Sequence, residues 1–165
     1  MKKPLQLSSE ITNLLMPRLN DEYNAFYHYR AASHWCAGVG FMKAASFFAK
    51  ESESELSHAA IIEKFLVDWN VIVAVPPIPS PQIEYQSLLD VIEKSYNIEL
   101  DLYTAYEETS VAVFAKGDIC AFDLLQPLRQ IQTESVAEYS DMLNMLEGTK
   151  ADKFQLLLLE DKLFS

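Results

Sequence analysis

Four long apolar stripes of this sequence are each interrupted once by a polar residue whose side chain can bind a metal ion. The interrupting residues are Glu22, Glu55, Glu99 and Gln132. Because the apolar residues around them recur at steps of three and four, each interruption falls on the buried face of an amphipathic helix. A buried carboxylate without a partner costs several kcal/mol or loses its charge. These carboxylates become tolerable if a cation lies among them.

A histidine and a tyrosine share helix faces with these carboxylates. His58 follows Glu55 by three residues, so both side chains project from one face, one turn apart. A Glu-x-x-His pair lets a helical bundle present one oxygen and one nitrogen to a metal. Tyr29 lies two turns after Glu22 and could hydrogen-bond a metal ligand. Taken alone, His58 or Tyr29 could equally be an ordinary core side chain, but the matching interruptions on the other stripes favour a site.

The predicted ligand set contains four oxygen donors and one imidazole. Its members are Glu22, Glu55, His58, Glu99 and Gln132. Structural zinc sites are typically built from thiolate and imidazole ligands, so a structural zinc is disfavoured. Carboxylates with a single imidazole suit Fe(II) or Mn(II), and a central carboxylate such as Glu55 can bridge two ions. The residues therefore predict a pair of metal ions in the middle of a helical bundle.

The same stripes predict the elements that must position these residues. We expect helices at about 8–38, 41–70, 84–115, 118–147 and 152–163, within a single domain over 1–165. Short connections make the first two helices, and the next two, antiparallel neighbours. The segment 71–82 holds four prolines and cannot be helical, and extended chain of this length can run back along a bundle. The sequence thus predicts an all-α four-helix bundle with one long crossover and a short fifth helix.

Local signals mark where the first and fourth helices begin, end or bend. Ser8 or Ser9 can cap the first helix, and Gly40 suits its C-terminal turn. Pro17 predicts either a kink in this helix or a later start. Pro127 predicts a bend in the fourth helix.

Composition restricts the partners and the location. The formal net charge of −11 over 165 residues disfavours nucleic acid and suits metal cations, although acidity also simply favours solubility. No uncharged apolar run reaches the ~18 residues of a membrane span, and residues 1–6 lack the apolar run of a signal peptide. Cys36 and Cys120 are expected to be free thiols in a reducing compartment. We therefore expect a cytoplasmic protein without a membrane partner.

These residues resemble the ferritins of the H-type or bacterial non-haem kind. The resemblance is carried by residues 19–22, Tyr29, residues 47–58, residues 96–99 and Gln132, and the tail is similar to the start of the short fifth helix of ferritins. It implies a ferritin-like bundle in which Glu22, Glu55 and His58 hold a first iron. It also implies that Glu55, Glu99 and Gln132 border a second iron, with Tyr29 beside them.

The resemblance further implies an activity and an assembly. Ferritins oxidise Fe(II) with O2 or H2O2 at such a centre, with two iron ions per subunit. They store the ferric product as mineral in a hollow homo-oligomeric shell, typically of about 24 subunits. Carboxylates favour Fe(III) over Fe(II), because the harder and more highly charged ion gains more from anionic oxygen.

Several positions depart from the patterns of related families. Ser135 stands where bacterioferritins complete a second Glu-x-x-His, so a permanently held di-iron cofactor is not expected. Leu56 replaces their haem-ligating methionine, and we expect no haem. Many bacterial ferritins have a third iron site built from several carboxylates of the fourth helix. Ile131 and Ser135 replace two of these carboxylates here, and only Glu134 remains.

Two further features leave the storage of mineral open. Ser54 and Ser57 stand where acidic groups often help mineral to nucleate. Glu51 and Glu53 could assist, but a solvated acidic face is the favoured interpretation of this pair. The short fifth helix also leaves the number of subunits in the shell open.

Two other functions compete with iron storage. A mini-ferritin that consumes peroxide would place its ligands between subunits and would lack the fifth helix, contrary to the mid-bundle ligands and the apolar stretch at 154–163. A non-catalytic bundle that assembles through a buried polar layer would use the same carboxylates without metal.

Overall fold

Five α-helices account for most of the computed structural model, which describes residues 4–150 and 152–165. The helices are α1 (Ser9–Val39), α2 (Met42–Asp68), α3 (Leu88–Ala115), α4 (Ile119–Leu146) and α5 (Lys153–Leu163). Within the described ranges there is no strand, which confirms the all-α class. The helix ends differ from the predicted ones by no more than four residues. Residues 1–3, on which part of the signal-peptide expectation rested, and residue 151 lie outside the described chain.

The direction of each helix follows from the contacts between them. α1 and α2 form one hairpin, and α3 and α4 form the other. Contacts between α1 and α3 join Arg18 to Thr109 at one end and His28 to Ser95 at the other, so these helices are antiparallel. α2 and α3 are therefore parallel, and the extended segment 71–86 carries the chain back along the bundle. This arrangement confirms the predicted long crossover.

Local chemistry fixes both ends of α1. The Ser8 side chain accepts a hydrogen bond from the backbone N–H of Ile11 at 3.2 Å and so caps the helix. Gly40 ends it with a φ of 95°, in the left-handed region that a glycine adopts without steric cost. The chain can then turn sharply into α2.

Neither proline interrupts its helix. Pro17 lies inside α1, which begins at Ser9, so the alternative of a later helix start is wrong. Pro127 lies inside α4. A proline lacks the N–H that would pair with the carbonyl four residues earlier, and these carbonyls belong to Asn13 and Asp123. Both residues are exposed, so water can satisfy the freed carbonyls.

α3 starts four residues later than predicted, at Leu88 rather than near residue 84. The Ser87 side chain accepts from the backbone N–H of Asp90 at 3.1 Å, and the Asp90 carboxylate accepts from the N–H of Gln86 at 3.0 Å. These two hydrogen bonds fix the first turn of the helix. Tyr85 stays in the crossover and packs edge-on against Trp35.

α5 is tied to the start of α2 by a buried carboxylate. Oε1 of Glu160 accepts hydrogen bonds from the backbone N–H groups of Lys43 and Ala44, at 2.8 and 2.9 Å. The N-cap residue of α2, Phe41, supplies no side-chain acceptor of its own. Glu160 therefore fulfils the capping role from a distant part of the sequence, and its negative charge suits the positive end of the helix dipole.

Two smaller expectations concern thiols and membranes. Cys36 is buried and Cys120 is exposed, and both are free, as predicted. None of the helices within the described residues has the length and apolarity needed to cross a bilayer.

Candidate metal centre

Three of the predicted ligands meet in the middle of the bundle. Glu22 comes from α1, and Glu55 and His58 come from successive turns of α2. Each offers one ligand atom, and these atoms lie within 4.8 Å of one another. The exposed fractions of the three residues are 1 %, 2 % and 6 %. Two carboxylates and an imidazole in this geometry can hold one metal ion away from bulk water.

The imidazole of His58 faces both carboxylates through the same nitrogen. Its Nδ1 lies 3.5 Å from Oε2 of Glu22 and 3.4 Å from Oε2 of Glu55. Burial lowers the pKa of His58, but the two carboxylates outweigh it and raise the pKa to about 10. The imidazole therefore carries a proton when no metal is bound, and this positive charge occupies the position that a metal ion would take.

For the carboxyl group of Glu55, burial acts in the opposite direction and raises the pKa well above its usual range. The hydrogen bond from His58 opposes this shift, whereas the nearby charges of Glu22 and Glu99 add to it. Glu55 thus interacts electrostatically with both of the other carboxylates. Crowded carboxylates of this kind favour any cation that can replace their protons.

The other two predicted ligands lie in α3 and α4. Glu99 is fully buried, and Gln132 is 1 % exposed. Burial raises the pKa of Glu99 to about 7, with a hydrogen bond from Tyr29 opposing the shift and the charge of Glu22 adding to it. Glu99 is therefore electrostatically part of the centre, although it lies outside the group of three ligand atoms within 4.8 Å of one another.

Several oxygens of the predicted ligands lack hydrogen-bond partners. They are Oε2 of Glu22, Oε2 of Glu99 and Oε1 of Gln132, each in a buried position. The contact of Glu22 Oε2 with His58, at 3.5 Å, is an ion pair rather than a hydrogen bond. Buried polar atoms are normally satisfied, and an unpaired oxygen acceptor is costly. A cation bound among these oxygens would remove that cost, so the residues present fit a metal.

Two tyrosines fix the carboxylates in a crossed arrangement. The Tyr29 hydroxyl donates to Glu99, as the predicted role of Tyr29 requires, and the Tyr106 hydroxyl donates to Glu22. Each tyrosine follows a glutamate of its own helix by seven residues and reaches the glutamate of the other helix. Tyr106 was not among the predicted site residues. The repeated Glu–Tyr spacing on α1 and α3 is the signal that could have identified it.

The predicted solvated acidic face is wrong for one of its two residues. Glu53 is exposed, but Glu51 is half-buried. Burial raises the pKa of Glu51 to about 7, and the charge of Glu138 adds to the shift. Glu51 lies one turn before Glu55 on α2, next to the centre rather than free in solvent.

A four-helix bundle with a long crossover and a central carboxylate–histidine cluster defines the ferritin-like class. A family model described as "Ferritin-like domain" matches residues 12–149. The chain belongs to the ferritin family.

Individual relatives agree with this assignment. The chain is 28% identical over 157 residues to a "Probable bacterial non-heme ferritin-like protein" of Haemophilus influenzae, covering 95% of each chain. It is 26% identical over 141 residues to the bacterial non-heme ferritin of Campylobacter jejuni, covering 86% of this chain and 84% of that one. Its fold resembles that of an open pore ferritin from the archaeon Archaeoglobus fulgidus, with a TM-score of 0.89, 22% identity and coverage of 95% and 96%.

Proposed function

We propose that this protein stores iron as a single ferritin-like domain and oxidises Fe(II) at a dinuclear centre inside each subunit. Glu22, Glu55 and His58 bind one iron ion, and Glu55, Glu99 and Gln132 border the second. Iron is the substrate of this centre, and O2 or H2O2 is the oxidant. The observation that carries the proposal is the buried group of Glu22, Glu55 and His58, whose ligand atoms lie within 4.8 Å of one another.

The proposed reaction follows from the chemistry of the ligands. Two Fe(II) ions give two electrons to one O2, which takes up two protons and leaves as H2O2, with Fe(III) as the other product. Anionic oxygen stabilises Fe(III) more than Fe(II), so the carboxylates of Glu22, Glu55 and Glu99 lower the cost of oxidation. Tyr29 and Tyr106 hold two of these carboxylates in place by hydrogen bonds.

The two halves of the centre are proposed to differ in affinity. The first half combines two carboxylates with an imidazole. The second half has the neutral amide of Gln132 in place of a further anionic or imidazole ligand. A weaker second half allows the ferric product to leave, which suits iron as a substrate rather than a resident cofactor. Leu56, where bacterioferritins have a haem-ligating methionine, supports a protein without haem.

Storage requires an assembly, and we propose a homo-oligomeric shell of about 24 subunits. Family membership and the similarity to bacterial non-heme ferritins support this. The ligands lie inside one bundle rather than between two, and α5 is present, which favours a ferritin shell over a mini-ferritin. A cytoplasmic location, without nucleic acid or membrane as partner, is consistent with the net charge of −11.

Aerobic oxidation of Fe(II) tests this proposal. Fe(II) is mixed with the purified metal-free protein, and the ultraviolet absorbance of ferric species is followed against a protein-free control. We expect fast oxidation that saturates at two iron ions per subunit in the first phase. A rate equal to that of the control would contradict the proposal. It would mean that the carboxylates form only the buried polar layer of a non-catalytic bundle.

A further inference from the structure

Arg18 joins the two helices that supply Glu22 and Tyr106. Its Nη1 atom donates to the backbone carbonyl of Ala105 and to Oγ1 of Thr109, both at 2.7 Å. Arg18 precedes Glu22 by one helical turn on α1, and its two acceptors lie on either side of Tyr106 in the sequence of α3. The arginine therefore holds together the two chain segments that carry the hydrogen bond from Tyr106 to Glu22.

The Arg18 side chain is itself held in place on α1. Its Nη2 atom forms an ion pair with Oδ2 of Asp21 at 2.6 Å, and the Arg18 side chain is only 13 % exposed. The planar guanidinium can make several directional contacts at once, which a single point charge cannot. Arg18 thus connects α1 rigidly to α3.

His28 makes the corresponding contact at the other tyrosine. Its Nε2 atom lies 2.9 Å from Oγ of Ser95 on α3, within hydrogen-bond distance, and both residues are buried. His28 directly precedes Tyr29 on α1, and Ser95 precedes Glu99 by one helical turn on α3. Burial lowers the pKa of His28 to about 4, and the charge of Lys94 adds to the shift, so this imidazole is neutral near pH 7.

These two interhelical contacts repeat the crossed arrangement of the tyrosines. In each contact, one partner lies four residues before a glutamate, and the other lies directly before a tyrosine of the other helix. The corresponding residues of α1 and α3 are Arg18 and Ser95, His28 and Ala105, Glu22 and Glu99, and Tyr29 and Tyr106. Each Glu–Tyr hydrogen bond is therefore accompanied by one interhelical contact of its own.

Chain connectivity does not set the register between α1 and α3. The two helices belong to different hairpins, and all of α2 and the crossover separate them in sequence. A shift of one helix along the other by a single residue amounts to about 1.5 Å. The distances accepted for a hydrogen bond span only about 0.5 Å. Side-chain contacts near the tyrosines must therefore fix the register that each Glu–Tyr hydrogen bond needs.

We propose that Arg18 and His28 are positioning residues for the two tyrosines. Arg18 keeps the Tyr106 hydroxyl on its glutamate in the first half of the proposed centre. His28 does the same for Tyr29 in the second half. The consequence for iron rests on the proposed function, because the tyrosines affect a metal ion only through the carboxylates that they hold.

Crystal structures of metal-free variants of the full chain test the positioning of Tyr106. Arg18→Gln removes the guanidinium, and we expect the Tyr106 hydroxyl to leave Glu22 while the bond from Tyr29 to Glu99 stays in place. Thr109→Val removes one of the two acceptors on α3 and should displace Tyr106 in the same direction but less far.

The converse result is expected at the second tyrosine. His28→Phe keeps a ring against Tyr29, whose own ring lies edge-on at a centroid distance of 5.1 Å, but removes the contact with Ser95. Tyr29 should leave Glu99, while Tyr106 stays in place. Ser95→Ala removes the same contact from the side of α3 and should have the same effect.

Anaerobic Fe(II) titrations of these variants measure the consequence for each half. Arg18→Gln should lower the affinity of the first binding step by roughly 10-fold and leave the second unchanged, whereas His28→Phe should do the reverse. Charge alone predicts the opposite sign for Arg18→Gln, because the loss of a nearby cation strengthens the binding of Fe(II). The double variant of Arg18→Gln and Tyr106→Phe should bind no more weakly than Tyr106→Phe, since both changes remove one shared interaction.

A matched control removes a different contact between the same two helices. Lys116, which follows α3, forms an ion pair with Glu10 of α1 at 3.2 Å, ten residues beyond Tyr106. Lys116→Gln should leave both tyrosines and both binding steps unchanged.

The outcomes separate this proposal from the proposed function. A tyrosine that stays on its glutamate when its interhelical contact is removed overturns the proposal, and so does an equal loss at both tyrosines in both Arg18→Gln and His28→Phe. A native protein that binds no Fe(II) would refute the proposed function instead, and the metal-free structures would still decide the role of Arg18 and His28.

Discussion

The two halves of the proposed centre differ in how their ligands are arranged. In the first half, Glu22, Glu55 and His58 bring their ligand atoms within 4.8 Å of one another. In the second half, Glu99 is committed to Tyr29 through one oxygen, and the Gln132 oxygen has no partner. Both halves hold one glutamate by a tyrosine hydroxyl and leave a carboxylate oxygen without a hydrogen-bond partner, so the difference lies in how closely their ligand atoms approach one another.

The difference follows from the elements that carry the ligands. Glu55 and His58 are one turn apart on the same helix, so their relative position is fixed by helix geometry alone. Glu99 and Gln132 come from α3 and α4 and depend on the packing between helices. The first half also needs Glu22 from α1, so one helix fixes two of its three ligands, whereas each predicted ligand on α3 and α4 stands on a helix of its own.

Removal of the shared ligand should have the largest effect. Glu55→Ala takes a carboxylate from both halves, so we expect fast Fe(II) oxidation to fall by at least about 100-fold. Helical content should not change, because the substitution also removes a crowded buried charge. Stopped-flow absorbance gives the rate and circular dichroism the helicity. An unchanged rate would refute the assignment of the centre.

Loss of either tyrosine hydroxyl should weaken one half selectively. Tyr106→Phe frees Glu22 and should lower the affinity of the first half by roughly 10-fold. Tyr29→Phe frees Glu99 and should act on the second half to a similar extent. Anaerobic Fe(II) titrations resolve the two steps. Equal effects of both variants on both steps would mean that the halves do not bind independently.

Loss of the amide should have a smaller effect. Gln132→Ala removes a neutral ligand from the second half, and we expect turnover to slow by only about threefold. Steady-state oxidation rates at saturating Fe(II) measure this. Complete loss of activity would instead make Gln132 a primary ligand and remove the asymmetry between the halves.

The smallest expected effect concerns stability and pH in the metal-free protein. The pKa of Glu99 rises from 4.5 to about 7 on folding, chiefly through burial. Folded protein therefore binds more protons than unfolded protein between these values, and the stability from Glu99 is present below pH 4.5 and lost as the pH rises through 7. The slope is at most about 1.4 kcal/mol per pH unit.

The matched variant for this measurement is Glu99→Gln, which cannot ionise. Its melting temperature should fall less than that of the native protein between pH 5 and pH 7. If the melting temperatures of the two proteins change with pH in the same way, burial does not raise the pKa of Glu99.

The sequence predicts those parts of the fold that local rules govern. Helical periodicity located all five helices and placed Glu22 and Glu99 on buried faces, because burial of one face is a repeating local pattern. α3 starts later than the helical pattern predicts because Ser87 caps it through the N–H of Asp90, while the Asp90 carboxylate accepts from the N–H of Gln86.

Contacts between distant residues were less accessible from the sequence. Glu160 caps α2 across more than a hundred positions, and nothing near it in the sequence indicates this partner. Tyr106 could not be told from a core tyrosine until α1 and α3 were placed side by side. Glu51 was taken for a solvated residue, but it is half-buried, and the charge of Glu138 on another helix acts on it.

If the buried carboxylates of this bundle bind iron as proposed, the first half should fill before the second. Crystals soaked anaerobically at rising Fe(II) concentrations and measured at the iron absorption edge test this order. We predict an anomalous peak that appears first among Glu22, Glu55 and His58, followed at higher concentration by one beside Glu99 and Gln132. Saturating Fe(II) that leaves no peak among Glu22, Glu55 and His58 would contradict the claim.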